Sequence, residues 1–224
     1  VNGFCQQDKI EHCTYATSLA QILKDNGYYT IHCGKAHFGA RTTPGENPLN
    51  LGFDININGG AAGAPGTYQG ITYFGNAHDG YPANPFAVPG LEKYYGKDIF
   101  LTEALTREAI KALDKERREN KPFFLYMAHY AIHVPLEKDM RFYEKYKRKG
   151  LSDNDAAYAA LIEGMDKSLG DLMDYLEKNE LMDNTIILFM SDNGGLASEP
   201  YWRNPLYVQN APLSSGKGSA HEGG

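Results

Sequence analysis

The sequence feature that most constrains the fold is the apolar run at residues 185–190, TIILFM, which stops abruptly at the segment Ser191-Asp192-Asn193-Gly194-Gly195. A continuous apolar run that is β-branched at its start predicts a strand buried on both faces of a sheet. A carboxylate and a carboxamide follow it, where two glycines free the backbone to turn. Open α/β sheets bind ligands at this carboxyl edge, and both side chains offer hard oxygen ligands. The alternative interpretation is an Asx turn that only closes the strand.

A second strand is predicted near the amino terminus. Residues 14–26 carry leucine and isoleucine at helical spacing, and Gly27 stands where a glycine would end that helix. The aromatic and β-branched run 28–33 then predicts a strand that leads into a loop containing Lys35 and His37. Because side chains two apart on an extended segment point the same way, these two can reach one anionic group.

The pattern of helices and strands in the second half predicts a parallel sheet. Apolar residues at helical spacing predict a helix over 99–120, and residues 122–128 predict a buried strand that delivers His133, just ahead of a proline, to its end. Ser152 marks the start of a long amphipathic helix that leads back to the run at 185–190. Strand, helix and strand in this order predict a crossover unit of a parallel sheet.

Two glycine-rich regions lie outside these elements. Residues 41–95 are dense in Gly, Pro, Asn and Tyr without a sustained period, which predicts long loops. Within them, the run 59–63 is interpreted as flexible, because it does not match a dinucleotide-binding fingerprint. Near the carboxyl end, Lys217 sits between two glycines, in a segment too short for a phosphate-binding P-loop.

Composition limits the classes of function. A chain of 224 residues with 42% hydrophobic residues can form one α/β domain over 1–224. The formal net charge of −6 argues against a nucleic-acid partner, so any anion must be held by a local positive cluster. Three cysteines without a C-x-x-C motif support neither a disulfide framework nor a cysteine zinc site, although one disulfide stays open. No stretch approaches the roughly 18 apolar residues of a membrane span.

The polar residues at the predicted strand ends form a chemically coherent set. If the strands are parallel neighbours, all of these residues lie along one edge of the sheet. A hard-cation site flanked by two lysines and two histidines suits a tetrahedral oxyanion with charge spread over its oxygens. The set therefore predicts an enzyme that acts on a sulfate or phosphate ester. The set consists of Lys35, His37, His133, Asp192, Asn193 and Lys217.

The motifs resemble those of the formylglycine-dependent sulfatases, which belong to the alkaline-phosphatase-like superfamily. In order, they are Gly27-Tyr28-x-Thr30, Gly34-Lys35-x-His37-x-Gly39, a histidine before a proline after a Pro-Phe-Phe strand, Ser-Asp-Asn-Gly and Gly-Lys-Gly. The resemblance covers nearly the whole chain. It implies a large α/β domain with a mixed, mostly parallel sheet, a bound Ca²⁺ rather than Mg²⁺, and hydrolysis of sulfate esters or sulfamates.

The resemblance also implies roles for individual residues. Asp192 and Asn193 are similar to the family's calcium ligands, and Lys35 and Lys217 to its sulfate-oxygen binders. His133 resembles the group that assists the leaving oxygen. The resemblance further implies that His37 hydrogen-bonds the hydrated formylglycine.

Two parts of the family pattern are absent from these 224 residues. There is no Cys/Ser-x-Pro-Ser-Arg motif, whose first residue the family oxidises to formylglycine, and no aspartate pair near the amino terminus. Because Ca²⁺ takes roughly six to eight oxygens, Asp192 and Asn193 cannot complete its site. We therefore expect an interior piece of a sulfatase, incomplete at both ends and inactive alone, whose nucleophile lies upstream of Val1.

Alternatives to a sulfatase remain open at this point. One is a phosphomonoesterase or phosphodiesterase of the same superfamily, and another is a binding protein that keeps the fold without catalysis. The tyrosine-rich loops favour a sulfated glycan over a small aryl sulfate, because aromatic rings stack on sugars. The resemblance favours an exported protein, in a periplasmic, secreted or lysosomal-type compartment.

Overall fold

The computed structural model describes residues 17–117, 121–195 and 210–224. Within the chain it distinguishes two compact units, Val1–Asn179 and Glu180–Gly224. The predicted helix start at residue 14, the helix end at 118–120, Cys5 and Cys13 lie outside the described residues.

The first unit is built on a parallel sheet of three strands. These are β1 (Tyr29–Gly34), β2 (Ile55–Ile57) and β3 (Phe123–Ala128), in the order β2-β1-β3. Both pairings are parallel, so all three strands end at the same edge. The predicted α/β class with a mostly parallel sheet is therefore confirmed, as are the strands predicted at 28–33 and 122–128.

Helix α1 (Leu19–Asp25) precedes β1 and ends before Gly27 as predicted, but it begins at Leu19, so residues 17 and 18 of the predicted helix 14–26 lie outside it. The hydroxyl of Ser18 caps it by accepting a hydrogen bond from the backbone N–H of Gln21 at 3.0 Å. Gly27 follows with φ of +86°, a left-handed conformation that favours glycine at the end of a helix. Helix and strand are thus joined by a turn that local chemistry specifies.

The longer helices cover the sheet and each other. Helix α2 (Leu101–Arg117) packs against β1, and α4 (Asp153–Lys178) packs against both α2 and the short α3 (Tyr143–Lys147). Ser152 caps α4 as predicted, accepting from the N–H of Asp155 at 3.1 Å. The apolar face predicted for α2 is buried and consists of Leu101, Leu105, Ala109, Ala112 and Leu113.

Most of residues 41–95 form loops, as the sequence predicts, but these loops also supply core residues and a strand. Strand β2 has only three residues, too few to show a period of two. It is fixed to β1 by Asp54, whose carboxylate accepts from the backbone N–H and hydroxyl of Thr30, both at 3.0 Å. Loop residues Tyr68, Phe74 and Leu91 are fully buried.

The prediction of a buried strand at residues 185–190, in the second unit, is wrong. These residues form no strand in the part of the chain that the structure describes. Their side chains face solvent, with Ile186 88% and Met190 83% exposed. An apolar run becomes a buried strand only when another strand satisfies its backbone groups, and that partner is not a property of the run itself.

No helix among the described residues is long and apolar enough to span a membrane.

Candidate functional site

The loop after β1 begins with Lys35, which is held directly against the end of β3. Its backbone N–H donates to the carbonyl oxygen of Ala128 at 2.7 Å. The preceding residue, Gly34, has φ of +105°, and a β-carbon there would lie 2.0 Å from that same carbonyl oxygen. Only glycine allows this approach, so Gly34 fixes where Lys35 leaves the sheet.

His37 is held by the glycine run that follows β2. Its backbone N–H donates to the carbonyl oxygen of Gly60 at 2.9 Å. Its imidazole lies so close to Gly63 that a β-carbon there would come 2.7 Å from ring atoms Cε1 and Nδ1. The run 59–63, which sequence analysis interprets as flexible, therefore forms one wall of the His37 environment. Its composition of glycine and alanine alone is the feature of the sequence that allows so close an approach.

His133 lies on the loop after β3. Its backbone N–H donates to the carbonyl oxygen of Tyr130 at 2.9 Å, and its ring Nδ1 lies 2.9 Å from the carbonyl oxygen of Val134. A carbonyl oxygen can only accept, so Nδ1 carries the proton of this hydrogen bond. Nε2 is then the ring nitrogen that can exchange a proton with a substrate.

Two other histidines of this region contribute no positive charge near neutral pH. His32 lies in β1, fully buried between aromatic rings, and burial lowers its pKa to about 4 although the Lys35 backbone and the Asn56 side chain oppose the shift. Burial also lowers the pKa of His129 to about 4. Its Nδ1 is enclosed without a hydrogen-bond partner. Both rings are therefore neutral at pH 7.

Asp192 and Asn193 lie on a tight turn in the second unit. The side-chain amide of Asn193 donates to Oδ2 of Asp192 at 2.6 Å, and the N–H of Gly194 donates to the hydroxyl of Ser191 at 3.2 Å. Gly194 has φ of +72°, so the turn uses its glycine as the sequence predicts. This arrangement places a carboxylate and a carboxamide side by side.

The glycine-flanked loop of Lys217 packs against this turn. The backbone N–H of Lys217 donates to the carbonyl oxygen of Gly195 at 2.8 Å. Asn210 joins the same two segments, because its side-chain amide donates to the carbonyl oxygens of Gly195 at 3.0 Å and Ser215 at 2.9 Å. Lys217 thus shares one local structure with Asp192 and Asn193 in the second unit, while Lys35, His37 and His133 belong to the first.

The donor set of the turn fits part of a site for a hard cation. Asp192 and Asn193 offer carboxylate and amide oxygens, which are the ligands that Ca²⁺ prefers. Within the described ranges, no group of three or more His, Cys, Asp or Glu side chains is placed to hold a metal ion. A complete Ca²⁺ shell of roughly six to eight oxygens therefore needs further ligands.

A stack of aromatic rings projects from the loops of the first unit. The rings of Tyr73 and His78 are parallel, with centroids 4.2 Å apart, and His78 also contacts Tyr81 at 5.4 Å. The backbones of His78 and Tyr81 hydrogen-bond to each other across a turn. Tyr81 is 68% exposed, so a supported aromatic ring faces solvent.

Comparisons with known proteins point to one family. Residues 6–224 match the family model described as Sulfatase. The chain is 30% identical to human N-acetylgalactosamine-6-sulfatase over 216 residues, which is 92% of this chain and 37% of that protein. It is 29% identical to the uncharacterized sulfatase YdeN of Escherichia coli over 82% of this chain and 34% of that protein.

The chain is also similar to a solved structure. The crystal structure of Ps i-CgsB in complex with k-i-k-neocarrahexaose superposes with a TM-score of 0.73 at 32% identity, covering 100% of this chain and 48% of that one. The chain thus spans less than half the length of each of these three proteins.

Proposed function

The chain belongs to the sulfatase family, and from this premise we propose that the protein hydrolyses sulfate esters or sulfamates. The observation that carries the proposal is that Lys35, His37 and His133 stand on loops that leave the same edge of one parallel sheet. Open α/β sheets bind ligands at this edge. We propose that residues 1–224 are part of a single catalytic domain, as the continuous family match over 6–224 supports.

In the proposed site, positive groups hold the sulfate. Lys35 and Lys217 bind its oxygens, and their charges stabilise the negative charge that develops there in the transition state. His37 orients the nucleophile. When its ring is protonated on both nitrogens, His133 donates the Nε2 proton to the ester oxygen as the S–O bond breaks and keeps the Nδ1 proton, so that the alcohol leaves uncharged. Support for the last role comes from the hydrogen bond between Nδ1 and Val134, which fixes the tautomer and the ring.

Asp192 and Asn193 are proposed as two of the ligands of a Ca²⁺ ion, in preference to Mg²⁺. Bound there, the ion would draw negative charge from the sulfate oxygens. The support is chemical, since both side chains offer hard oxygens on one turn.

The nucleophile is proposed to be a formylglycine supplied by sequence outside these 224 residues. None of them forms the Cys/Ser-x-Pro-Ser-Arg motif. On this proposal the 224 residues alone do not turn over substrate. Export to a periplasmic, secreted or lysosomal-type compartment is part of the same proposal.

A sulfated glycan is the proposed substrate class. The exposed ring of Tyr81, backed by His78 and Tyr73, offers a flat apolar surface of the kind that packs against sugar rings. The similar protein Ps i-CgsB has been solved with a neocarrahexaose.

The proposal is tested with the full-length protein that contains this chain. Its hydrolysis of 4-nitrophenyl sulfate is compared with that of 4-nitrophenyl phosphate, which has the same leaving group. We expect a higher kcat/KM for the sulfate, because two lysines beside one cation suit a monoanionic group. A higher kcat/KM for the phosphate would support a phosphoesterase instead, and no turnover of either would support a binding protein.

A further inference from the structure

The loop that carries His133 is fixed by side chains from a distant part of the sequence. Its own backbone bonds are few, namely the N–H of His133 to Tyr130 and the N–H of Glu137 to Pro135, both at 2.9 Å. Further contacts come from Thr67 and Tyr68, more than 60 residues earlier in the chain.

The hydroxyl of Tyr68 contacts both ends of the turn that leads to His133. It lies 2.9 Å from the carbonyl oxygen of Tyr130 and 2.8 Å from that of His133. Carbonyl oxygens only accept, so the hydroxyl shares its single proton between them. Burial raises the pKa of Tyr68, which keeps this hydroxyl protonated as a donor.

Tyr68 is itself held rigidly. Its side chain is fully buried and stacks on Phe100, with ring centroids 5.1 Å apart and planes within 6°. Its backbone carbonyl accepts from the N–H of Leu101, the first residue of α2, at 2.8 Å. The hydroxyl therefore projects from a buried ring whose backbone is hydrogen-bonded to the start of α2.

Glu137, at the other end of the His133 loop, provides a second connection to the segment of Tyr68. Its Oε2 accepts from the N–H of Tyr68 at 3.0 Å and from the hydroxyl of Thr67 at 2.9 Å. Burial raises the pKa of Glu137, and the hydrogen bonds from Thr67, Tyr68 and Gln69 oppose that shift. The segment of Tyr68 and the loop of His133 are therefore joined at two points.

We propose that Tyr68 is a positioning residue that sets the direction of the His133 imidazole through the backbone of its loop. The ring of His133 is tied by Nδ1 to Val134 on the same short segment whose carbonyl Tyr68 holds. Displacing that segment turns Nε2 away from the leaving oxygen. The inference rests on the proposed function, in which His133 donates this proton.

Core packing alone does not account for this arrangement. Burial of the ring and its stacking on Phe100 need no hydroxyl, and one acceptor would satisfy the hydroxyl proton. The substitution Tyr68→Phe separates the two roles, since it removes the hydroxyl and keeps the stacked ring.

The test uses the full-length enzyme and a series of sulfate esters whose leaving groups differ in pKa. Proton donation matters most for poor leaving groups, so mispositioning of His133 costs more as the leaving-group pKa rises. For Tyr68→Phe we expect kcat to fall about tenfold on an alkyl sulfate and less than about twofold on 4-nitrophenyl sulfate, with KM nearly unchanged. The matched control is Tyr94→Phe, which removes a partly buried hydroxyl bonded to Glu108 and is expected to leave this series unchanged.

A double-mutant cycle completes the test. In a His133→Ala background, Tyr68→Phe should lower kcat no further, because the group that it positions is gone. An equal fall for all leaving groups, or an additive fall in the double variant, would show that Tyr68 only stabilises the fold. If Tyr68→Phe does not fold, Glu137→Met, which removes the acceptor of Thr67 and Tyr68, is measured in the same series, and a flat response there would also overturn the proposal.

The same experiment distinguishes failure of the proposed function from failure of the positioning role. Wild-type enzyme that hydrolyses no sulfate ester refutes that function and this inference with it. Wild-type activity with no leaving-group dependence in Tyr68→Phe refutes the positioning role alone.

Discussion

The α-carbon of Gly63 packs against the imidazole of His37, and a β-carbon at residue 63 would come 2.7 Å from ring atoms Cε1 and Nδ1. The contact therefore joins the run 59–63, which was predicted only to be flexible, to the predicted site residue His37. It makes the conformation of His37 depend on a glycine 26 positions away.

The substitution Gly63→Ala is expected to displace the His37 ring and lower kcat/KM for a sulfate ester roughly 10- to 100-fold, because small misplacements of an orienting group are costly. The control is Gly60→Ala in the same run, where an added β-carbon meets no atom within 4 Å and the carbonyl that binds His37 is retained. Steady-state kinetics of both variants check this. Equal activities for the two would mean that Gly63 does not constrain His37.

Local chemistry made some elements predictable from the sequence. Helix α4 begins where Ser152 caps it, and Gly27 ends the segment before β1, because each signal acts on its immediate neighbours. The strands β1 and β3 were predictable because each is an apolar and aromatic run of about six residues that begins after a glycine or a proline, Gly27 and Pro122.

Contacts between distant residues were not predictable in this way. The run at residues 185–190 has the composition of a buried strand, yet its exposure in the structure depends on pairing that the run does not encode. The contact of Gly63 with His37 and the bonds of Tyr68 to the His133 loop likewise join segments that no period links. The chemistry of the side chains was enough to predict the candidate site residues. The distant residues that hold them in place are visible only in the folded structure.

A buried ion pair is expected to stabilise the turn that precedes α3. Asp139 is only 1% exposed, and Arg141 binds its carboxylate with two nitrogens, at 2.9 and 2.6 Å. Arg141→Met removes both nitrogens from that buried carboxylate, and also the pair of Arg141 with Glu103 at 3.1 Å, and should lower the free energy of unfolding by about 3–5 kcal/mol. Lys167→Met, which breaks an exposed pair with Asp171, should cost less than about 1 kcal/mol. Urea unfolding measures both, and similar losses would contradict the assignment.

The buried histidines make stability depend on pH. His32 has a pKa of about 4 in the folded protein, below the value of 6.5 that it takes when unfolded, so the unfolded chain binds the proton first as the pH falls. Stability is therefore complete above pH 6.5 and is lost between pH 6.5 and 4, by about 3 kcal/mol for this residue. His32→Gln should flatten the profile in this window. An unchanged slope in urea unfolding at pH 7, 5.5 and 4 would contradict the prediction.

The aromatic stack of Tyr73, His78 and Tyr81 is expected to contribute to the binding of glycan substrates and not of small aryl sulfates. Tyr81→Ala should raise KM for a sulfated oligosaccharide about 2- to 10-fold, the worth of one aromatic contact, and leave KM for 4-nitrophenyl sulfate unchanged. Ile71→Ala removes another exposed apolar side chain, 61% exposed, and is the control. If Tyr81→Ala raises KM for both substrates alike, the stack is not a sugar platform.

The most direct measurement of the central claim is kcat/KM for a sulfate ester in the full-length protein and three of its variants. We predict turnover by the wild type and losses of about 100-fold or more for Lys35→Ala and His133→Ala, because each removes a group that acts in the transition state. Lys97→Ala, at an exposed lysine outside the proposed site, should match the wild type. Wild-type rates in Lys35→Ala and His133→Ala would contradict the account.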